Sequence, residues 1–383
     1  MILRAGTPEE AGMSAQRVSH AANLAKSWVT EGHHPALVVL VARRGVMVLH
    51  EAFGNLTPES DSSAIELDSI FSMASLSKPI TATAAMMLVE DGQLSLNRPV
   101  AEYISEFIGD GKDKVMVHHL LTHTSGFRTE DIEEHAKKRK GTIEILPSDK
   151  TQHSLINEYL LLRYDAPLSE TPGTLMYYDD YNYSLVGEIV RRVSGKSLTD
   201  FATERIFKPL GMRDTYYIVP ESVRHRIVGR PDDAPFAAND TQESQKTPWP
   251  AWGVFSTAMD MVVFGQMFLN EGSYEGQRLL SHATVSAMTR NQIPGIGARY
   301  LDESYPEAGW SYGWNIQGDK KSHGSLLSPK TFSHGGGGGV LLWVDPAYEV
   351  VGAYFSVSLR SIPQHYYHSD LFIDAVTAAV VDV

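Results

Sequence analysis

Apolar residues cluster near both ends of the chain in short runs that predict β-strands. Residues 36–42 and 46–49 are rich in Val and Leu and flank an Arg-Arg-Gly turn, a pattern typical of a hairpin. Residues 340–344 and 350–357 repeat this pattern around Asp-Pro-Ala, a second turn signal. Because strands stand at both ends of the chain, we expect them to pair with one another in one sheet.

Apolar residues spaced three and four apart predict helices elsewhere. This spacing occurs at 11–30, 182–193, 260–269 and 369–381, and it predicts that the region from about 75 to 270 is mainly helical. In the last helix the predicted buried residues are Leu371, Phe372, Ala375, Ala379 and Val380. Residues 128–153 and 230–250 are predicted to be long loops, which in compact domains often form the rims of functional sites.

These elements together predict an α/β (α+β) fold. An antiparallel sheet flanked by helices would carry an inserted all-helical lobe. We expect one domain over residues 1–383, with the α/β lobe at about 1–74 and 271–383 and the helical lobe at about 75–270.

Composition and charge narrow the range of functions. A length of 383 residues, of which 43% are hydrophobic, is typical of a globular protein with a sizeable core. The formal charge of −13 argues against a nucleic-acid partner, and the absence of cysteine excludes disulfides, thiolate metal sites and a cysteine nucleophile. No apolar run is long enough to span a membrane, and the first residues form no apolar leader. We therefore expect a cytoplasmic protein without a membrane partner.

The sharpest local motif is Ser75-Leu-Ser-Lys78 at the start of a predicted helix. Residues three apart share a helix face, so the Ser75 hydroxyl and the Lys78 amine can meet. A serine hydroxyl becomes a useful nucleophile only when a neighbouring base accepts its proton, and a neutral lysine can be that base. The alternative interpretation is a serine that caps the helix and a lysine on the surface, which would give the same Ser-x-x-Lys motif. The motif therefore needs support from elsewhere in the chain.

Two further segments offer that support. Tyr178 lies just before a predicted helix, from which a phenol can project into a cleft and relay a proton. His334 is followed by five glycines, whose backbone N–H groups can approach a ligand as an oxyanion hole requires. Aromatic packing and a flexible hairpin are the alternative interpretations of these two segments.

The order of Ser75, Lys78, Tyr178 and His334-Gly335-Gly336 resembles the serine β-lactamase and penicillin-binding-protein superfamily. Its closest resemblance is to the branch of class C β-lactamases, DD-peptidases and family VIII carboxylesterases. Other segments that look like family landmarks are Pro-Glu-Glu-Ala-Gly at 8–12, Val-Ala-Arg-Arg-Gly at 41–45, His-Leu-Leu-Thr-His-Thr-Ser-Gly at 119–126, Pro-Leu-Gly-Met at 209–212 and Phe-Ser-Thr-Ala at 255–258. The resemblance covers nearly the whole chain and implies a β-lactamase/transpeptidase-like fold with its active site between the two lobes.

The resemblance also implies roles for individual residues. Ser75 would be the acylated nucleophile, Lys78 its activating neighbour and Tyr178 the proton shuttle. The backbone N–H groups of Ser75 and Gly337 would form the oxyanion hole, and no cofactor or metal would be needed. The implied substrate-binding residues are Asp180, His334, Gly335, Gly336 and Trp252.

Two departures from the family pattern help to choose among its activities. β-Lactamases of this branch usually have Asn where this chain has Asp180, and Lys where it has His334. A carboxylate and a titratable imidazole weaken recognition of an anionic antibiotic. We therefore favour a carboxylesterase for small or medium acyl esters. A β-lactamase, a D-amino-acid peptidase or amidase, and an acyltransferase remain alternatives. Six aromatic residues are candidates for lining an apolar acyl pocket, with ordinary packing as the alternative for each: Tyr177, Tyr181, Trp249, Trp252, Trp310 and Trp314.

A zinc site and a different hydrolase fold are weaker hypotheses. His119 and His123 are four apart and His118 adds a third imidazole, but Leu120 stands where the metalloprotease pattern needs Glu. An α/β-hydrolase is disfavoured because the chain has no Gly-x-Ser-x-Gly elbow.

Overall fold

A seven-stranded sheet built from both ends of the chain organises the fold. The structure is a computed structural model that describes residues 1–145, 149–300, 303–319, 322–362 and 364–382. Its strands are β1 (Arg4–Ala5), β2 (Ala36–Arg43), β3 (Val46–Gly54), β4 (Phe71–Ser72), β5 (Leu175–Tyr177), β6 (Phe255–Ser256), β7 (Ser273–Tyr274), β8 (Gln277–Arg278), β9 (Gly297–Tyr300), β10 (Glu303–Tyr305), β11 (Asn315–Ile316), β12 (Phe332–Gly336), β13 (Val340–Asp345) and β14 (Val350–Ser356).

The large sheet has the order β1-β3-β2-β14-β13-β12-β11. β14 pairs antiparallel with β2, with Ala353 opposite Leu40, so the predicted pairing of the two chain ends is confirmed. Only the short edge strand β1 departs from the predicted antiparallel arrangement, since it runs parallel to β3. β12, which carries the glycines, lies one strand from the edge.

Helices cover both faces of this sheet and form a further helical region beside it. They are α1 (Ala15–Thr30), α2 (Lys78–Glu90), α3 (Val117–Leu121), α4 (Thr129–Arg139), α5 (Ser154–Leu161), α6 (Asp180–Ser194), α7 (Leu198–Ala202), α8 (Lys208–Leu210), α9 (Ala258–Leu269), α10 (His282–Met288) and α11 (Tyr367–Thr377). The predicted α/β architecture is confirmed. No helix in the described ranges is long and apolar enough to cross a lipid bilayer.

Alternation along β2 divides the core between the two faces of the sheet. Leu37, Val39 and Val41 share a buried cluster with α1 and α11, whereas Val38 and Leu40 belong to the larger cluster on the opposite face. α9 packs on that opposite face, where Gly265 lets it approach β14 closely: a Cβ there would lie 2.8 Å from Val351 Cγ1. α9 therefore lies with the sheet, although the expected lobe boundary near 270 assigns it to the helical lobe.

Two sequence predictions about local structure are wrong. The expected loop over 128–153 contains α4, whose first turn is acidic and whose last turn is basic, as the helix dipole favours. Ile132 and Ala136, four apart, are its buried contacts. Residues 146–148 of that expected loop lie outside the described residues. The last helix ends at Thr377, before the expected 381, and Leu371 is exposed rather than buried because it faces away from the sheet.

The loop expected at 230–250 is present. Apart from two short 3-10 turns, Ala237–Asp240 and Ser244–Lys246, it has no helix or strand. Its chain crosses the glycine turn after β12, where Arg230 lies against Gly338 and Phe236 against Gly337. The loop therefore reaches the segment where the sequence predicts the active site.

Candidate active site

Ser75 lies in a 3-10 turn, Ala74–Ser77, that leads directly into α2. Ala74 has a φ of 45°, a left-handed conformation that non-glycine residues adopt at a cost of order 1–3 kcal/mol, often near functional sites. One helical turn later, Lys78 Nζ lies 3.0 Å from Ser75 Oγ. The predicted meeting of hydroxyl and amine is therefore confirmed.

Lys78 is fully buried and has three oxygen neighbours. Besides Ser75 Oγ, Nζ contacts Asp180 Oδ1 at 2.6 Å and the carbonyl oxygen of Ala251 at 3.2 Å. Asp180, expected to bind substrate, thus forms an ion pair with Lys78. The Asp180 side chain is nevertheless 47% exposed. The carbonyl of Ala251 was not foreseen, since a backbone contact across 173 residues leaves no sequence signal.

Tyr178 reaches the same place from the helical region. It follows β5, and Asp179 then caps α6 by accepting a hydrogen bond from the Tyr181 N–H. Lys78 Nζ lies 4.7 Å from the centre of the Tyr178 ring. Burial, reinforced by the Asp180 carboxylate, raises the pKa of Tyr178 well above its ordinary value of 10.0. A hydrogen bond with Ser75 opposes this shift. The phenol is therefore neutral at physiological pH and can donate its proton.

The glycines of β12 lie against the segment that precedes Ser75. A Cβ on Gly336 would lie 2.2 Å from the carbonyl oxygen of Met73, so only glycine fits there. The next residue, Gly337, lines a cavity together with Ser75. This arrangement can supply two backbone N–H groups to a developing oxyanion, the requirement for acyl transfer.

His334, expected from the sequence to be a titratable imidazole, is buried. Its Nδ1 lies 2.7 Å from the carbonyl oxygen of Gly335, and its Nε2 has no hydrogen-bond partner among the described residues. Burial, with a smaller effect of Lys78, lowers the pKa of His334 to about 3. The imidazole is therefore neutral at physiological pH.

Two cavities meet at Ser75, and Tyr178 lines both. One has a volume of about 510 Å³ and includes Trp310, His334, Gly335 and Gly337. The other, of about 790 Å³, lies toward the helical region and includes Asp180. The expected aromatic residues that line this larger cavity are Tyr177, Tyr181, Trp249 and Trp252. The cleft thus offers separate space for the two sides of a substrate bond.

Two of the expected pocket residues lie elsewhere. Trp314 is fully buried in the core, where its ring packs against Phe264, Phe268 and Phe332. Gly336, expected to contact substrate, faces the backbone of Met73 and lines neither cavity.

Sequence reasoning missed several residues at the cleft. Phe236, Arg299 and Tyr300 line both cavities, and the ring of His123 lies 4.4 Å from that of Tyr178. Phe236 lies in the loop predicted at 230–250, and His123 lies in the family landmark at 119–126, so both segments had been noted without the individual residues being singled out. Arg299 is exposed and forms no ion pair within the described ranges. Its strand, β9, is a short piece without apolar periodicity, so no pattern pointed to it.

The three histidines considered for zinc serve other contacts. His118 Nδ1 lies 3.0 Å from the carbonyl oxygen of Leu96. His119 Nδ1 accepts a hydrogen bond from the Met116 N–H, and His123 Nδ1 accepts one from the Asp179 N–H. Across the part of the chain that the structure describes, no group of three His, Cys, Asp or Glu side chains has a geometry that could hold a metal ion.

Comparison with known proteins finds similarity over most of the chain. Residues 20–375 match the family model described as Beta-lactamase. A protein of Salmonella typhi with the printed name "Putative D-alanyl-D-alanine carboxypeptidase" is 25% identical, and the match covers 90% of this chain and 83% of that one.

Two solved structures share the fold. "EstCE1, a hydrolase with promiscuous acyltransferase activity" superposes with a TM-score of 0.77 at 19% identity, covering 96% of this chain and 99% of that one. A family VIII carboxylesterase superposes with a TM-score of 0.73 at 20% identity and the same coverage.

Proposed function

The chain belongs to the Beta-lactamase family and is a serine hydrolase; we propose that it is a carboxylesterase for small or medium acyl esters, acting through an acyl-enzyme on Ser75. The contact of 3.0 Å between Ser75 Oγ and Lys78 Nζ, at the junction of two cavities, carries this proposal. A nucleophile at such a junction can hold the acyl group in one cavity and release the alcohol into the other.

The proposed acylation step exchanges one bond at the carbonyl carbon and moves two protons. Ser75 Oγ attacks the ester carbonyl carbon while its hydroxyl proton passes to Lys78 Nζ. The backbone N–H groups of Ser75 and Gly337 stabilise the resulting oxyanion. As the bond to the alcohol breaks, Tyr178 donates its proton to the departing oxygen. Lys78 then passes the proton that it took from Ser75 to the Tyr178 phenolate. In the second half of the cycle water attacks the acyl carbon, one of its hydrogens passes through the same groups to Ser75 Oγ, and the carboxylic acid leaves.

Electrostatics of the cleft support an ester rather than an anionic lactam. In the branch that the sequence resembles, Asn and Lys hold the amide and the carboxylate of the antibiotic. Here Asp180 is bound to Lys78, and His334 is neutral because burial lowers its pKa to about 3. Neither position offers the donor amide or the fixed positive charge that a β-lactam would use.

A D-amino-acid peptidase is the second candidate, and one observation favours it. Arg299 lies at the mouth of both cavities, exposed and without an ion-pair partner in the described ranges. A guanidinium in this position can bind the terminal carboxylate of a peptide. The similarity to the Salmonella typhi protein points in the same direction.

A panel of purified-enzyme assays separates these candidates. We expect p-nitrophenyl acetate and butyrate to be hydrolysed, with nitrocefin and D-alanyl-D-alanine amides turned over far more slowly. Ser75→Ala should abolish ester turnover, whereas Arg299→Gln should leave it unchanged and should weaken only substrates with a carboxylate. Rapid hydrolysis of D-alanyl amides without ester turnover would replace the first candidate by the second.

A further inference from the structure

The hydrogen bonds of Lys78 present a difficulty for its role as a base. Its Nζ lies within hydrogen-bonding distance of three oxygens, on Ser75 at 3.0 Å, Asp180 at 2.6 Å and Ala251 at 3.2 Å. An ammonium group has three hydrogens and no lone pair, so each contact uses one of them. In this arrangement Nζ donates to Ser75 Oγ and cannot accept its proton until another hydrogen has left.

Only one of the three oxygens can take that hydrogen. The Ala251 oxygen belongs to a peptide carbonyl, which is not basic, and the Ser75 hydroxyl is the group to be deprotonated. The Asp180 carboxylate is basic and makes the shortest of the three contacts. We infer that Asp180 is the third member of a Ser75–Lys78–Asp180 proton relay. This inference rests on the proposed attack of Ser75 on an ester.

Each group of the relay regains its starting protonation state by the end of acylation. Nζ first passes a hydrogen to Asp180 Oδ1, and its freed lone pair takes the hydroxyl hydrogen of Ser75 as Oγ bonds to the carbonyl carbon. When the alcohol leaves with the phenolic hydrogen of Tyr178, the phenolate takes one hydrogen from Nζ. Asp180 then gives its hydrogen back to Nζ. The net result is an ester on Ser75, a free alcohol and an enzyme in its starting protonation state.

Other carboxylates and imidazoles near Lys78 are occupied or held neutral. Asp179 accepts hydrogen bonds from the Tyr181 N–H and the Thr129 hydroxyl, which tie it to the starts of α6 and α4. His123 makes no hydrogen bond with Lys78; its Nδ1 accepts one from the Asp179 N–H instead. Burial keeps the pKa of His123 well below its ordinary value. Asp180 differs from these groups because its side chain is 47% exposed and opens into the larger cavity. Small solutes can therefore reach its position.

The test uses Asp180→Asn and Asp180→Ala in the full-length enzyme. The rate at which a fluorophosphonate labels Ser75 reports activation of the hydroxyl and does not depend on the natural substrate. We expect both variants to lose about 100-fold in labelling rate and in kcat for p-nitrophenyl butyrate, with KM within about threefold, as for loss of a general base. Formate should restore at least about tenfold of the labelling rate of Asp180→Ala, whereas formamide, its neutral isostere, should not.

Controls separate the relay from a structural effect. Asp200→Asn changes an exposed carboxylate in the first turn of α7 in the same way and should leave both rates unchanged. Equal melting temperatures for Asp180→Asn and the parent would exclude a folding defect. Labelling within threefold of the parent, a loss confined to KM, or equal rescue by formamide would overturn the inference. Absence of ester turnover in the parent enzyme would instead refute the proposed function. The labelling rates would still test the relay in that case, because labelling of Ser75 needs no ester substrate.

Discussion

The backbone of Gly336 in β12 touches the backbone of Met73, two residues before Ser75. A Cβ on Gly336 would lie 2.2 Å from the Met73 carbonyl oxygen and 3.1 Å from its carbonyl carbon. Real Cβ atoms do not approach a carbonyl oxygen so closely, so the glycine lets the strand and the nucleophile turn lie side by side. This contact sets the position of the Ser75 N–H relative to that of Gly337.

Gly336→Ala should therefore impair catalysis through the oxyanion hole. The added methyl group must push β12 away from Met73, and a donor displaced from its position costs about 100- to 1,000-fold in kcat. Hydrolysis of p-nitrophenyl butyrate is the measurement. Gly229→Ala is the control, because its Cβ would meet nothing closer than 3.4 Å. A Gly336→Ala enzyme with unchanged kcat would show that the contact does not govern the site.

Phe236 should limit the size of the acyl or alcohol group. Its ring lies over Gly337, where a Cβ would be only 2.6 Å from a ring carbon, and it lines both cavities. Phe236→Ala should raise kcat/KM for p-nitrophenyl octanoate relative to acetate by about threefold to tenfold, because removing the ring lengthens the available space. A chain-length series measures this ratio. An equal fall for all chain lengths would contradict a role in size selection.

Arg43 should stabilise the fold by joining the two ends of the chain. Its side chain is fully buried; Nη1 donates to the carbonyls of Ala11 and Gly12 at 2.8 Å, and it also binds the Asp382 carboxylate. Arg43→Met would leave the buried Ala11 carbonyl without its donor, whereas the Gly12 carbonyl and the half-exposed Asp382 carboxylate keep other donors. We expect a loss of about 1–3 kcal/mol. Urea unfolding measures the loss.

Arg4→Met, in an exposed ion pair with Glu10, is the comparison for Arg43. It should leave the free energy of unfolding nearly unchanged, because exposed ion pairs contribute little. Equal effects of the two substitutions would show that the buried network of Arg43 adds nothing.

His34 should make the fold less stable in mild acid. It is buried between Tyr354 and His368, and burial, followed by the charge of His368, lowers the pKa of His34 to about 4. The unfolded chain, with an ordinary pKa near 6.5, binds a proton at pH 5 that the folded state excludes. This stability is complete above pH 6.5 and is lost as pH falls toward 4. The share due to His34 is about 2 kcal/mol between pH 7 and pH 5.

The measurement is urea unfolding of the parent and of His34→Gln at pH 7 and pH 5. The variant should lose less stability between these two values than the parent, because glutamine does not titrate. His225→Gln, at an exposed position, should follow the parent. Parallel pH profiles for the parent and His34→Gln would show that His34 is not linked to stability.

The sequence predicts the parts of the molecule that depend on local pattern. Short stretches of sequence were enough to predict three features of the structure. These are the strands β2 and β14 from their Val-rich runs, the helical turn between Ser75 and Lys78, and the glycine segment after His334. Helix α4 was missed because it has only two buried residues, so charge rather than apolar period defines it. The prediction of a loop there followed from that weak apolar signal.

The electrostatics of the site could not be predicted in the same way. The pairing of Asp180 with Lys78 joins residues 102 apart, and the choice between a substrate contact and an internal ion pair depends on their distance in space. The same holds for His334, since burial among Tyr178 and Trp310, rather than the identity of the residue, makes it neutral.

Mass spectrometry of an acid-quenched reaction with p-nitrophenyl butyrate tests most directly whether Ser75 carries the acyl group. We predict that the peptide containing Ser75 gains the mass of one butyryl group during turnover, and that Ser75→Ala neither gains it nor releases nitrophenol. Butyrylation of another residue, or turnover by Ser75→Ala at the parent rate, would contradict an acyl-enzyme at this position.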